Sequence, residues 1–377
     1  MQHIASFGCG QLAQMTAQAG IKLGLRFSFI ADMGEDTRCV DGLGNIVTSK
    51  SGQPAVDLFN ALGRPDIITV EKEMVDAELL KALKTLTMVY PCNDSIKIAQ
   101  NRIREKNYIR ECDIPTADFE IVTSKEQLLG LAESFGFPIY IKAAESGYDG
   151  YHQWRLKSHA DIDQPGLLDA IDNSVSLIAE KHVPYHREVS VIAARRADGS
   201  VVMYPLMENR HEEGVLIATI APAPQLASAL EAQAFDFMSR LLTTMDYVGV
   251  LTMECFETDE GIIVNELAPR VHNSGHWTIE GSATSQFENH CRAIADMPLG
   301  ETGVKNMMGL VNMLGRHGNP SDFRDTHYFY HDYGKSARAR RKLGHITLCA
   351  NSLDELYTAL NETLLALYGD RYLPYGG

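Results

Sequence analysis

The chain has 377 residues, 45% hydrophobic and 22% charged, an ordinary globular composition with enough length for two or three domains. A formal net charge of −15 excludes a broad basic footprint for nucleic acid or an anionic membrane, so any phosphate must be held by a local basic pocket. Seven cysteines without a CxxC pair argue for free thiols in a reducing compartment, no apolar run approaches the roughly 20 residues of a membrane span, and no signal core precedes the first strand, so a cytoplasmic protein is expected.

Ile4, Ala5 and Phe7 predict a short buried strand, and Leu12, Met15, Ala19 and Leu23 fall on one face of the helix that follows. Residues 27–31 predict a second strand. Between them Gly8-x-Gly10 sits at a helix N-terminus, where an anion can approach closely. The third glycine of a GxGxxG fingerprint would fall at Ala13, so a dinucleotide site and a purely structural turn both stay open. Residues 66–73 read as a strand entering an acidic loop, with Glu71 and Glu73 as solvated charges. Asn93, Asp94 and Ser95 offer caps for one helix over 96–109, on which Arg102 and Lys106 share a face. Pro115 ends it, and a strand–helix–strand unit begins at Asp118.

The landmark of that unit is Lys142, which ends an apolar strand ahead of Gly147 and Gly150. A mobile glycine loop closing over phosphates, with an ammonium to neutralise them, is a workable clamp. Residues 176–190 read as strand, proline, strand; 201–205 as further sheet; 227–244 as an amphipathic helix; 285–294 as another helix. Near the C-terminus Lys335, Arg338, Arg340, Arg341 and Lys342 crowd into an otherwise acidic chain and continue into an apolar strand. This predicts a monophosphate pocket, with Arg forks and Lys point charges.

Residues 248–281 organise the rest. Residues 251–256 alternate apolar and polar, a turn falls at 258–261, and 262–267 run back. Glu254 and Glu266 therefore come to neighbouring strands with both carboxylates on one face, a repulsive pair that calls for a cation between them. Oxygen ligands of this kind suit Mg²⁺, with phosphates and water completing its shell. Arg270, His272, Asn273, Ser274 and His276 follow, where an anion would meet metal-bound phosphates.

The stretch from Asn265 to His290, NELAPRVHNSGHWTIEGSATSQFENH, resembles the signature of the N5-carboxyaminoimidazole ribonucleotide synthetases, ATP-grasp carboxylases of purine biosynthesis. NE-x-x-PR is shared widely among ATP-grasp ligases, while HNSGHWTIEG is narrower, and the resemblance runs from Phe7 to about Ile346. It implies an α/β and α+β ATP-grasp fold: a Rossmann-like N-terminal domain (1–112), a small lid (113–185) and a larger C-terminal domain (186–377). ATP would contact Arg102, Lys142, Glu180, the backbone from Lys181 to Val183, Glu188, His211, Asn265 and Glu266, with Mg²⁺ on Glu254 and Glu266. Arg270, His272 and Asn273, with Lys142, would hold bicarbonate and then carboxyphosphate. The acceptor, 5-aminoimidazole ribonucleotide, would meet Gln11, Leu12, Glu73, Tyr148, Asp149, Lys335, Arg338, Arg341 and Lys342. A homodimer is also implied.

Four departures from the family pattern all fall on the acceptor side. Tyr151 and His152 replace Arg and Gly of the loop, Ala13-Gln14 replaces Gly-Arg, and E-K-E-M (71–74) replaces E-F-E-N. The expectation is intact ATP chemistry with an altered acceptor pocket, in which another cation, with Arg340 a candidate, does the missing arginine's work. Three alternatives stay open: an ATP-grasp ligase with another phosphorylated acceptor, a non-catalytic nucleotide-binding regulator, and an NAD-dependent oxidoreductase.

Overall fold

A computed structural model describes residues 1–145, 153–323 and 327–376. The loop calls at Gly147, Tyr148, Asp149, Gly150, Tyr151 and His152 lie outside the described residues. Short apolar runs separated by helices build a parallel sheet from β1 (His3–Phe7), β2 (Arg26–Ala31), β3 (Asn45–Thr48), β4 (Ile67–Val70) and β5 (Met88–Val89), in the order β3-β2-β1-β4-β5. Its central strands are buried on both faces. The helix Gln11–Lys22 turns Leu12, Met15 and Ala17 onto a core shared with Phe287, Cys291 and Ile294 of the helix Gln286–Ile294, so this sheet is docked firmly on the C-terminal part.

A four-stranded antiparallel sheet follows: β6 (Phe119–Val122), β7 (Ile139–Ala143), β8 (Gln153–Leu156) and β9 (Leu177–Lys181), in the order β6-β9-β7-β8. It has its own small core around Leu128, Ile141 and Leu177. The last sheet is the largest. It contains β10 (Arg187–Arg195), β11 (Val201–Met203), β12 (Met207–Glu212), β13 (Val215–Ala221), β14 (Gly249–Thr258), β15 (Gly261–Ala268), β16 (Met307–Leu314), β17 (Tyr328–Asp332) and β18 (Lys342–Ala350). The main path is β15-β14-β10-β12-β13-β16-β18-β17, with β11 on the side of β10. The helix Ser228–Thr244 buries Ala234, Phe237, Met238, Leu241 and Leu242, a spacing that makes one apolar stripe, against Val191, Leu251 and Met253.

The single helix expected over 96–109 is two, Asn93–Ala99 and Arg102–Glu111. Asn101 is extended between them, and its side chain accepts from the N–H groups of Ile103 and Arg104, both at 3.0 Å. An Asn that bonds the backbone ahead of it starts a helix better than it continues one. The N-cap position falls on Cys92, one residue before the expected caps at 93–95 and without a side-chain cap bond, and the Ser95 hydroxyl donates to the Cys92 carbonyl.

His290 ties the two large sheets together. Its Nδ1 accepts from the Val250 N–H at 3.1 Å and its Nε2 meets Thr69 Oγ1 at 2.9 Å. Burial pushes its pKa down from 6.5 to about 4, so the unfolded chain takes up this proton first. Stability should then fall as pH drops from 6.5 toward 4. Urea unfolding of His290→Gln, which keeps an acceptor and a donor, should show a slope in that window flatter by about one proton.

Candidate active site

The site is built where the ends of β1 and β4 face the hairpin β14–β15. At the end of β1, Gly8 adopts φ +101°, and the following turn aims the first N–H groups of the helix Gln11–Lys22 at Glu71. The Glu71 carboxylate accepts from the Gly10 N–H and from the Ala13 N–H at 2.8 Å. Glu71 is thus not a solvated charge. It is the anion that the glycine turn receives, and a dinucleotide pyrophosphate at that turn would meet a carboxylate already in place. Burial raises its pKa while the two N–H donors oppose the shift. A Cβ on Gly8 would lie 2.5 Å from Glu71 Cγ. Gly8→Ala should therefore lower stability by roughly 2 kcal/mol in chemical denaturation, from backbone strain and displacement of Glu71.

Lys72, the departure inside E-K-E-M, has a structural occupation. It bridges Asp32 at 2.6 Å and Glu35 at 2.9 Å, while Glu35 also accepts the N–H groups of Cys9 at 2.8 Å and Asp32 at 2.9 Å. Beyond this rim lies the basic segment. Lys335 donates to Gln11 Oε1 and lies 5.8 Å from the centroid of the Tyr333 ring; burial pushes its pKa down. Arg341 pairs with Asp36 at 3.1 Å. The Arg38 guanidinium first, and Arg341 with it, hold the Asp36 carboxyl far below the usual range. Arg338 is exposed. Arg340, the expected substitute cation, instead reaches the β12–β13 turn, where it donates to the Glu213 carbonyl at 2.6 Å. The Leu12 side chain lies in the core, beneath the turn.

The hairpin matches the period-two reading. Glu254 and Glu266 are direct cross-strand partners, with a bulge immediately after Glu254. Each carboxylate already has a cationic or donor neighbour: His272 Nε2 lies 2.9 Å from Glu254, and Arg102 lies 2.8 Å from Glu266. Burial pushes the Glu254 carboxyl up, but His272, His211 and Lys342 together hold it down at about 2. Two carboxylates on one face form a hard-oxygen donor set that fits Mg²⁺, with room left for phosphates and water in its shell.

The polar run after β15 divides into two tasks. Arg270 pairs with Glu73 at 2.7 Å, and its buried Nε has no hydrogen-bond partner among the described residues, so a donor is left over for an anion. His272 Nδ1 accepts from the Ser274 N–H at 3.3 Å, which leaves the ring proton on Nε2 toward Glu254. Asn273 is different: its amide is paired on both sides with Asn312, at 3.0 and 2.7 Å, so it braces the loop on β16. Ser274 continues that brace through Ser190 and Asn209.

At the other end Lys142 lies 2.7 Å from Glu180 Oε2, and Lys106 lies 3.3 Å from Glu180 Oε1. The second contact is an ion pair without hydrogen-bond alignment, so Oε1 is a buried acceptor with no hydrogen-bond donor among the described residues. Burial pushes the Glu180 carboxyl up, yet the two ammoniums hold it at about 2. Glu188 accepts from Tyr185 OH at 3.2 Å and pairs with His211 Nδ1. The Lys181 side chain is exposed and Val183 is half-buried; the Lys181 N–H is taken by the Asp118 carbonyl at 2.8 Å. The Asn265 carbonyl accepts from Lys106 at 3.2 Å. Sequence reading missed Glu105, which accepts the Leu267 N–H at 2.7 Å and is raised to about 8 by burial first and Glu266 second.

Three family models match the chain: a ribonucleotide synthetase preATP-grasp domain over 1–100, an ATP-grasp domain over 107–287 and a phosphoribosylaminoimidazole carboxylase C-terminal domain over 309–358. The N5-carboxyaminoimidazole ribonucleotide synthase of Pseudomonas aeruginosa is 40% identical over 352 residues, covering 92% of this chain and 95% of its own. The Escherichia coli protein of the same name is 32% identical and covers 99% and 97%. The Thermus thermophilus synthetase structure superposes with a TM-score of 0.89 at 35% identity, covering 98% of this chain and all of its own. An Aspergillus clavatus structure described as a complex with ADP and 5-aminoimidazole ribonucleotide gives 0.87 at 26% identity, covering 97% and 98%. With its fold, its paired glutamates and these relatives in agreement over nearly all its length, the chain belongs to the N5-carboxyaminoimidazole ribonucleotide synthase family of ATP-grasp ligases.

Proposed function

We propose that this site carboxylates 5-aminoimidazole ribonucleotide to N5-carboxyaminoimidazole ribonucleotide at the expense of ATP, with bicarbonate as the carboxyl source. The observation that carries the reading is the order of groups along one connected run of charges. Lys142 and Glu180 stand at one end, the Glu254–Glu266 pair with Arg270 and His272 in the middle, and Lys335 with Gln11 at the other. A triphosphate, a small anion and a phosphorylated amine need such a sequence of charges.

In this reading Oε1 of Glu180, with Lys106 beside it, accepts the adenine amino group, the backbone from Lys181 to Val183 borders the ring, and Glu188 with His211 faces the ribose. Lys142, Arg102 and Asn265 serve the phosphates. Glu254 and Glu266 would hold Mg²⁺, which when bound would neutralise charge at the transferring phosphoryl group. Arg270 and His272 hold bicarbonate while its oxygen attacks the γ-phosphorus in line and ADP leaves. Carboxyphosphate then breaks into carbon dioxide and phosphate beside the acceptor. The amine nitrogen bonds the carbon, and its proton passes to the phosphate just released. Glu73, Lys335, Arg338, Arg341 and Lys342 orient the acceptor; Asn273 positions the loop. Domains over 1–112, 113–185 and 186–377, a homodimer and a cytoplasmic setting complete the reading. Seven unpaired thiols agree with that setting, and no helix among the described residues is long and apolar enough to cross a membrane.

The test is ADP release from ATP, Mg²⁺ and bicarbonate, with and without 5-aminoimidazole ribonucleotide. Strong stimulation is expected. Bicarbonate-dependent turnover without stimulation would assign another acceptor, and nucleotide binding without turnover would assign a regulator.

A further inference from the structure

Two ammonium groups share one carboxylate at the nucleotide end, and only one of them has a part in the reaction as described. Lys106 lies four residues after Arg102 on the helix Arg102–Glu111, and its side chain is 1% exposed. Its Nζ donates to Thr116 Oγ1 and to the Asn265 carbonyl, both at 3.2 Å, and stands 3.3 Å from Glu180 Oε1. Those partners come from the connector after the helix, from β15 beside Glu266, and from β9. Lys142 holds the other oxygen of Glu180, at 2.7 Å, and its side chain is 12% exposed.

A buried carboxylate stripped of its counter-charge is strongly unfavourable. Were Lys142 the sole cation on Glu180, sending that ammonium to a phosphate would leave such a carboxylate behind. Lys106 is fixed by its two hydrogen bonds to groups that do not need to move. It therefore compensates Glu180 whether Lys142 is present or not.

We propose that Lys106 is a positioning residue that frees Lys142 for the nucleotide: its fixed charge on Glu180 lets the Lys142 ammonium exchange the carboxylate for phosphate oxygens. The proposal rests on the reading that Lys142 and Glu180 belong to the ATP site. Lys106 touches no substrate in this scheme, and its effect is transmitted through the Lys142–Glu180 pair.

The experiment compares MgADP dissociation constants and KM values for the full-length chain and four variants. Lys106→Gln keeps N–H donors for Thr116 and the Asn265 carbonyl but removes the charge, so it separates electrostatic release from simple tethering. Lys106→Met removes both. Both should weaken MgADP and raise the KM for ATP by roughly 10- to 100-fold, with kcat and the KM for the ribonucleotide much less affected. Adding Glu180→Gln to Lys106→Gln should recover much of that affinity, because a neutral amide no longer retains Lys142 and still offers an acceptor. Parent-like MgADP affinity in Lys106→Gln would overturn the proposal, as would loss without any recovery in the double variant. Lys142→Met is the control: if it binds MgADP like the parent, the nucleotide site itself has been misplaced and the proposal fails with it. Should Lys106→Met fail to fold, Lys106→Gln and its double variant still decide the matter.

Discussion

Glu266→Gln is expected to fold like the parent and to release ADP roughly 100- to 1,000-fold more slowly. The substitution preserves shape and removes one charge of the carboxylate pair proposed to hold Mg²⁺. Glu266 pairs with Arg102 at 2.8 Å, with side chains 38% and 14% exposed, so loss of that ion pair costs about 1 kcal/mol or less in stability. The remaining loss is then assigned to the proposed cation site. Raising Mg²⁺ should recover part of the rate by refilling a weakened site, which a purely structural lesion would not allow. Single-turnover ADP release and a thermal melt, side by side, check this. A variant with parent-like kcat at ordinary Mg²⁺ would remove Glu266 from the mechanism.

Lys335→Met is expected to raise the KM for 5-aminoimidazole ribonucleotide by roughly 10- to 100-fold while the KM for ATP stays within about twofold. The ammonium is held by a neutral amide, Gln11, and burial lowers its pKa, so it gains most from a dianionic partner. Arg340→Met supplies the contrast. That arginine is engaged with Glu213, and its loss should leave the ribonucleotide KM nearly unchanged. Steady-state kinetics with the two substrates varied separately distinguishes these outcomes. Equal losses toward both substrates in Lys335→Met would argue against an acceptor pocket there.

What could be seen in the chain alone was whatever a local period or a local motif determines. Period-two alternation put Glu254 opposite Glu266, and the hairpin delivers that register. The strand ending at Lys142 and the helix carrying Leu12 and Met15 follow from equally local patterns. The misses are tertiary. Nothing near Glu71 announces that it will fill the glycine turn some sixty residues earlier, and nothing near Lys106 shows that β9 and β15 will close over it. Asn101 was legible in principle, since an Asn followed by good helix formers is a starting signal. The resemblance gave Asn273 a place beside bicarbonate; only the partner strand β16 reveals that Asn312 pairs with its amide.

Nearly every cation of the site is already matched with a resident group: Arg102 with Glu266, Arg270 with Glu73, Lys142 with Glu180, Arg341 with Asp36. Anionic ligands therefore enter by exchanging one partner for another, not by falling into an open positive field. Few mobile counterions are displaced when they bind. On a protein of net charge −15, long-range attraction is also missing, so added salt should screen repulsion during encounter and take little from the bound complex. An enzyme wired in this way would keep its substrate affinities across a wide range of ionic strength.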